Sequence, residues 1–347
     1  MTTLETARVV TGGIDTHLDV NVAAALDPVG ALLGTAAFEA SPTGHRELAS
    51  WLGSFGTVAT VGVEGTGAYG AGIARHLHSL GVTVVEVDRP NRQERRRNGK
   101  SDTLDAVEAA RAALSGRARG QAKSRDGAVE AIRVLLVARR SATRERTRSI
   151  VRMRHLGYTA PEELRGRLKG LSVRRFVEEA SRLRPEASPD TVTAATKAAL
   201  RSLAHRVRSL ETEIAHLDEQ LVPIVGACAP ELLSVLGVGT LTAATLLVTA
   251  GDNPERMRSE AAWARLCGVA PLPATSGKVV SRHRLNPGGD RQANAALWRI
   301  VMVRLTCDPN TRAYVERRMK EGRSKREIIR CLKRYVAREV YRQLPRG

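Results

Sequence analysis

Short apolar runs punctuated by turn residues fill the first ninety positions, and their order admits few folds. The run from Arg8 to Ile14 is followed by Val20 to Ala25 and Ala31 to Phe38, with Asp27-Pro28 and Gly30 separating the last two. Three short sequential strands imply an antiparallel meander. Ser41-Pro42 then opens a helix through Trp51, with Ser41 as N-cap and Pro42 at the first helical position. A strand from Val58 to Val63, a helix from about Ala68 to Leu80 and a strand from Val82 to Val87 complete the order β-β-β-α-β-α-β.

That order is the ribonuclease-H-like one, in which the first and fourth strands are neighbours. Asp15 ends the first strand in Gly13-Ile14-Asp15-Thr16-His17, and Glu64 ends the fourth in Val61-Gly62-Val63-Glu64-Gly65. Both carboxylates would project toward one point. Asp102 and Asp105 open a helix that runs to about Leu114, and residues three apart share a helix face. Four converging carboxylates repel unless cations neutralise them, and hard oxygen ligands select Mg²⁺ or Mn²⁺. Two such ions stabilise the attacking and leaving oxygens of phosphoryl transfer. Each acid alone has a plainer reading: Asp102 as an N-cap, Asp105 favouring the positive helix end, Asp15 in a turn.

A competing motif stands beside Glu64. Gly65-Thr66-Gly67-Ala68-Tyr69-Gly70 matches the dinucleotide-binding GxGxxG, with Glu86 and Asp88 about 20 residues on. Against that reading, the motif follows a meander instead of opening a βαβ unit, and Glu64 would crowd an anionic pyrophosphate.

Charge is divided unevenly. Residues 1 to 90 hold four Arg, no Lys and nine carboxylates, a net of −5, so the rest of the 347-residue chain carries +24 of a total of +19. A basic remainder behind an acidic first part fits chemistry at carboxylates in one place and phosphate binding in another. Nucleic acid is the expected partner, with a membrane surface as the weaker alternative. No apolar stretch approaches the roughly 18 residues that span a bilayer, and the start MTTLETARVV lacks the order of a signal peptide, so a cytoplasmic place beside the nucleoid is expected. Cys228, Cys267, Cys307 and Cys331 form no CxxC pair and are expected as buried thiols. Aromatics at 3% argue against base-stacking platforms.

From about Asp126 to Ile224 the pattern is helical, with a turn at Pro185, Ser188 and Pro189 between two antiparallel helices. Leu203, Val207, Leu210, Ile214, Leu217, Leu221 and Ile224 form an a/d seam, which serves either self-association as a coiled coil or packing within the domain. Further on, Leu236-Gly237-Val238-Gly239 lies between helical stretches. It is either a helix-hairpin-helix element whose Gly237 and Gly239 amides approach phosphate, or a tight helix connection. The segment from Gly268 to Arg291 reads as a polar, basic loop in which Ser276 is a phosphate ligand, a nucleophile or a turn residue.

With these motifs in order, the chain resembles the DEDD insertion-sequence transposases of the IS-one-ten group, the bridge-RNA-guided recombinases. GGIDTH, VGVEGTG and KSDTLDA resemble that family's RuvC-like domain; LLSVLGVGTLTAATLL, LCGVAPLPATSGK and NAALWR resemble its transposase domain. The resemblance implies an α/β plus all-α architecture. A RuvC-like mixed-sheet domain would cover residues 1 to 120, a helical coiled-coil domain 121 to 228, and a helical DNA-binding domain 229 to 347. It implies that Asp15, Glu64, Asp102 and Asp105 bind Mg²⁺ or Mn²⁺, that Ser276 is the nucleophile with Ser281 as its rival, and that a phosphoserine intermediate forms. It implies a structured guide RNA, donor and target DNA, and a homo-oligomer, a dimer becoming a tetramer in synapsis. Lys278, Arg282, Arg284 and Arg291 are candidate phosphate contacts by charge and proximity. Two rivals stay open: a RuvC-like junction resolvase or nuclease using the carboxylates alone, and a non-catalytic helix-hairpin-helix DNA-binding protein.

Overall fold

The structure is a computed structural model and describes residues 8–87, 101–118, 120–123, 125, 127–187, 190–252, 257–273, 283–284 and 288–345. The chain divides into two compact units, one of residues up to 127 with 250–259, the other of residues 128–249 with 260–345.

The first unit is built on a mixed sheet. Strands β1 (Val9–Thr16), β2 (Val20–Leu26) and β3 (Leu32–Glu39) form the expected antiparallel meander. Helix α1 (Pro42–Gly53) follows, and the Ser41 side chain caps it by accepting from the Gly44 N–H. β4 (Thr57–Glu64) lies parallel to β1, and β5 (Thr83–Val87) lies parallel to β4. The two-residue strand β6 (Gly120–Gln121), which has no sequence signal, pairs antiparallel with β5 and completes the order β3-β2-β1-β4-β5-β6. Antiparallel β1, β2 and β3 rule out a doubly wound dinucleotide fold, whose sheet is mostly parallel.

Burial follows position in the sheet. Central β1 is covered over nearly its whole length, whereas β3 at the edge has only half-buried and exposed positions. On one face Val10, Ile14, Val61 and Val63 pack with Leu48 and Leu52 of α1 and with Ile73 and Leu77 of α2 (Ala71–Ser79). Each such leucine contributes roughly 1.5–3 kcal/mol. The second helix starts three residues later than its apolar pattern predicts, because Gly65 to Gly70 close as turns on β4. The opposite face is covered by α3 (Asp102–Leu114), through Ala106 and Val107 packed on Ala24.

The second unit is helical. α4 (Ala128–Thr159) and α7 (Thr191–Cys228) run antiparallel, joined by ion pairs of Arg139 with Asp218 and Arg146 with Glu211. α5 (Glu162–Leu168) and α6 (Val173–Ser181) close one end, where Leu164, Phe176 and Val177 meet Met153, Leu200 and Val207. The 3₁₀ turn Pro185–Ala187 leads from α6 into α7, so the turn near Pro185 joins a short helix to a long one, and the antiparallel long partner of α7 is α4. Leu203 and Val207 of the a/d seam therefore pack within their own chain. Val207 and Leu221 are buried, while Leu210, Ile214 and Leu217 are half-buried.

Beyond the hairpin come α8 (Pro230–Ser234), α9 (Thr240–Ala250), α10 (Glu260–Leu266), the ribbon of β7 (Leu272–Pro273) with β8 (His283–Arg284), α11 (Arg291–Cys307), α12 (Pro309–Lys320) and α13 (Lys325–Gln343). Among the described residues no helix is long and apolar enough to cross a membrane. All four cysteines are free thiols, but only Cys267 is buried. The expectation of four buried thiols fails most clearly at Cys307, which ends α11 in solvent, its Sγ donating to the Val303 carbonyl.

Candidate active site

Two glycines decide where the acids point. Gly13 on β1 and Gly62 on β4 are register partners. A methyl group on Gly13 would lie 2.2 Å from the Ala106 carbonyl oxygen, and one on Gly62 2.4 Å from that of Ala109. The backbone of α3 thus rests directly on this face, helped by its own small Ala106, Ala109 and Ala110. Residues two apart on a strand share a face, so Asp15 and Glu64 point to the α3 side. Ile14 pairs with Val63, which places Asp15 and Glu64 at the next position of adjacent strands. The Thr16 hydroxyl ties the two strand ends by donating to the Glu64 carbonyl at 2.8 Å.

α3 begins at this end of the sheet. Ser101 is its N-cap, without a side-chain cap bond, so Asp102 is the first helical residue and not the cap. Asp105 follows one turn on. Asp15 and Asp105 are each only 6% exposed, while Asp102 is open. Burial pushes the Asp15 carboxyl above its ordinary range; His17 opposes this, and the charges of Asp105 and Asp102 reinforce it.

A residue the acid pattern did not single out completes the group. His17 Nε2 lies 3.1 Å from Asp15 Oδ2 and 3.5 Å from Asp102 Oδ1. One ligand atom from each of Asp15, His17 and Asp102 falls within 4.8 Å of the others. The available signal was spacing: His17 stands two residues after Asp15, where the strand period returns a side chain to the same side. The structure thus gathers Asp15, Asp102, Asp105 and His17, with Glu64 on the neighbouring strand. Oxygen donors beside one imidazole, two of the carboxyls buried, suit a divalent cation.

The glycine motif after β4 serves this end of the sheet. Gly65 takes φ +70°, a left-handed turn that glycine adopts without strain. The Thr66 hydroxyl donates to Glu86 Oε1 at 2.8 Å, so the acid a dinucleotide reading would give to a ribose is bound by the motif's own threonine.

Ser276, Ser281, Lys278 and Arg282 lie outside the described residues, and Arg284 is placed only as backbone in β8. The base of their loop is described. Asn294 Nδ2 donates to the carbonyls of Cys267 and Gly268 at 3.0 and 3.1 Å, and Lys333 Nζ donates to Asn294 Oδ1 at 2.7 Å. The Asp290 N–H bonds the Leu266 carbonyl, and a methyl on Gly289 would lie 2.2 Å from Gly268. Both ends of the segment are thus held together, with Leu272 paired to Arg284. Arg291 is exposed as the first residue of α11.

The candidate hairpin separates two roles. Gly237, at φ +85°, has the α11 carbonyl of Ile300 3.2 Å from where its methyl would be, so it packs inward. Gly239 has open space beside it, and its carbonyl accepts the first bonds of α9.

A mixed sheet carrying acids at the ends of its first and fourth strands, faced by a helix that starts with two more, defines a DEDD-type domain on a sheet consistent with the ribonuclease H fold. A family model of DEDD transposases of the IS110 type matches residues 12–156, and one described as "Transposase IS116/IS110/IS902 family" matches residues 229–316. The chain belongs to the IS110/IS116/IS902 family of transposases. It is 29% identical over 158 residues to the "Insertion element IS110 uncharacterized 43.6 kDa protein" of Streptomyces coelicolor, covering 46% of this chain and 38% of that one. It is 28% identical over 134 residues to the "Insertion element IS900 uncharacterized 42 kDa protein" of Mycobacterium paratuberculosis, covering 38% of this chain and 34% of that one. The matches thus span little more than a third of each relative.

Proposed function

We propose that the protein is the recombinase of an insertion sequence, cutting and rejoining DNA strands under the direction of a structured RNA. The observation that carries this reading is the meeting of Asp15, Asp102 and Asp105 at the end of β1, on the face shared with Glu64.

In this reading Asp15, Glu64, Asp102 and Asp105 hold Mg²⁺ or Mn²⁺, which supply charge stabilisation to the phosphate under attack. α3 sets the spacing of the acids, because its alanines seat it on Gly13 and Gly62. Ser276 is the nucleophile: its Oγ bonds to phosphorus as the bond from phosphorus to a sugar oxygen breaks. The serine proton passes to solvent, and the departing sugar oxygen takes up a proton. Attack by the sugar hydroxyl of the exchanged strand reverses the step, so no nucleotide cofactor is consumed. Lys278, Arg282, Arg284 and Arg291 neutralise backbone phosphates, as the net +24 beyond residue 90 favours. Sequence would be read by RNA pairing, consistent with few aromatics, and Gly239 offers backbone to phosphate. Half-buried Leu210, Ile214 and Leu217 would join protomers. The three-part division at residues 120 and 228 stays part of this proposal.

A junction resolvase or nuclease acting through metal-activated water is the second reading, favoured by the acids being sufficient for hydrolysis. Strand cleavage and recombination of element-end DNA with its RNA separate the two. Ser276→Ala should abolish recombination and covalent attachment under our reading, and leave cleavage intact under the other. Cleavage that persists in Asp15→Ala would contradict both, and absence of any cleavage in the intact chain would favour a DNA-binding protein.

A further inference from the structure

We propose that His17 is itself a ligand of the cation held by Asp15 and Asp102, through Nε2, and that this nitrogen turns the site's preference from Mg²⁺ toward Mn²⁺. The inference rests on reading the carboxylates as a cation clamp and adds a residue outside the four acids.

The geometry is that of a shared ion. Adjacent ligands of an octahedral ion with bonds of about 2.1 Å stand about 3.0 Å apart. His17 Nε2 is 3.1 Å from Asp15 Oδ2 and 3.5 Å from Asp102 Oδ1, so one nitrogen faces two carboxylate oxygens at near-ligand spacing. A hydrogen bond accounts for the first contact alone, since 3.5 Å is long for a second one and a ring nitrogen carries one hydrogen.

The local chain explains why the imidazole stays there. Thr16 ends β1, and the His17 N–H bonds the Val20 carbonyl at 3.0 Å, fixing the turn into β2. The His17 side chain is 41% exposed, so it faces the open side of the site where an ion would enter, while Asp15 forms the buried floor. Mg²⁺ prefers oxygen and gives up its water reluctantly, whereas Mn²⁺, also at home among carboxylates, belongs to the first-row series whose members accept imidazole. A nitrogen at this point therefore distinguishes ions that four carboxylates would treat nearly alike.

The test uses the full chain without an affinity tag and the ions themselves. Mn²⁺ and Mg²⁺ affinities are measured by titration calorimetry, and bound Mn²⁺ is examined by pulsed electron paramagnetic resonance for nitrogen modulation. We expect nitrogen modulation in the unaltered protein and its loss in His17→Ala. Mn²⁺ affinity should fall on the order of tenfold or more, with little change for Mg²⁺. His17→Asp should restore ion binding with an oxygen ligand and no nitrogen signal, which shows that the variants fold. Mn²⁺ bound through Asp15 with no nitrogen signal, or with His17→Ala unchanged, would overturn the role of His17 and leave the clamp standing. Mn²⁺ binding indifferent to Asp15→Asn, or absent, would overturn the clamp and this inference with it.

Discussion

Gly13 and Gly62 stand side by side on β1 and β4, and neither has room for a methyl group beneath α3. Asp102 and Asp105 keep their distance from Asp15 because that helix lies so close. Gly13→Ala should cost about 1–3 kcal/mol or more by forcing backbone apart, and should weaken divalent-ion binding. Gly53→Ala, with nothing within 4 Å of the added methyl at the end of α1, should leave both nearly unchanged. Chemical denaturation and calorimetry check the pair.

Asp15 is a buried acid among acids, and its raised proton affinity has a direct consequence. A carboxyl that holds its proton more tightly when folded favours the fold at low pH and opposes it as pH rises from 3.8 through the raised value. Without divalent ions, stability should therefore fall across that window, and Asp15→Asn should remove this part of the fall. At neutral pH an ion at 100 times its Kd should add about 2.7 kcal/mol, an increment that vanishes in acid and in Asp15→Asn. Thermal melts over pH with and without Mg²⁺ measure it.

Asn294 holds the base of the serine segment. Asn294→Ala frees the carbonyls of Cys267 and Gly268 and removes the partner of Lys333 Nζ. Recombination should fall at least about tenfold, since small misplacements of reacting groups cost that much or more, while Mn²⁺ affinity stays constant. Equal loss of both would mean that Asn294 only supports the fold.

The a/d seam separates folding from association by depth. Val207→Asp places a charge in the core shared with Leu200 and Phe176 and should unfold the helical unit. Ile214→Asp, at a half-buried position, should cost less stability and shift sedimentation toward the monomer. An unchanged assembly would place the protomer contact elsewhere.

Sequence legibility followed local signals. Asp15 and Glu64 were readable because each ends an apolar run, and Ser41 because a cap and a proline coincide. The seating of α3 on Gly13 and Gly62 was not readable: the order of elements made β1 and β4 neighbours, but not the register that sets these two glycines side by side under the helix. His17 carried one mark, its spacing two residues after Asp15, and that mark gains meaning only once β1 is known to end at Thr16. The seam announced an apolar stripe but not its partner, because α4 in the same chain is rich in arginine and shows no matching heptad.

The most direct test of the account is a denaturing gel for protein covalently joined to element-end DNA, with the matching RNA and Mg²⁺. The account predicts an adduct in the unaltered protein and none in Asp15→Ala, in Ser276→Ala or without divalent ions. An adduct that survives loss of Asp15, or that forms without metal, would contradict it.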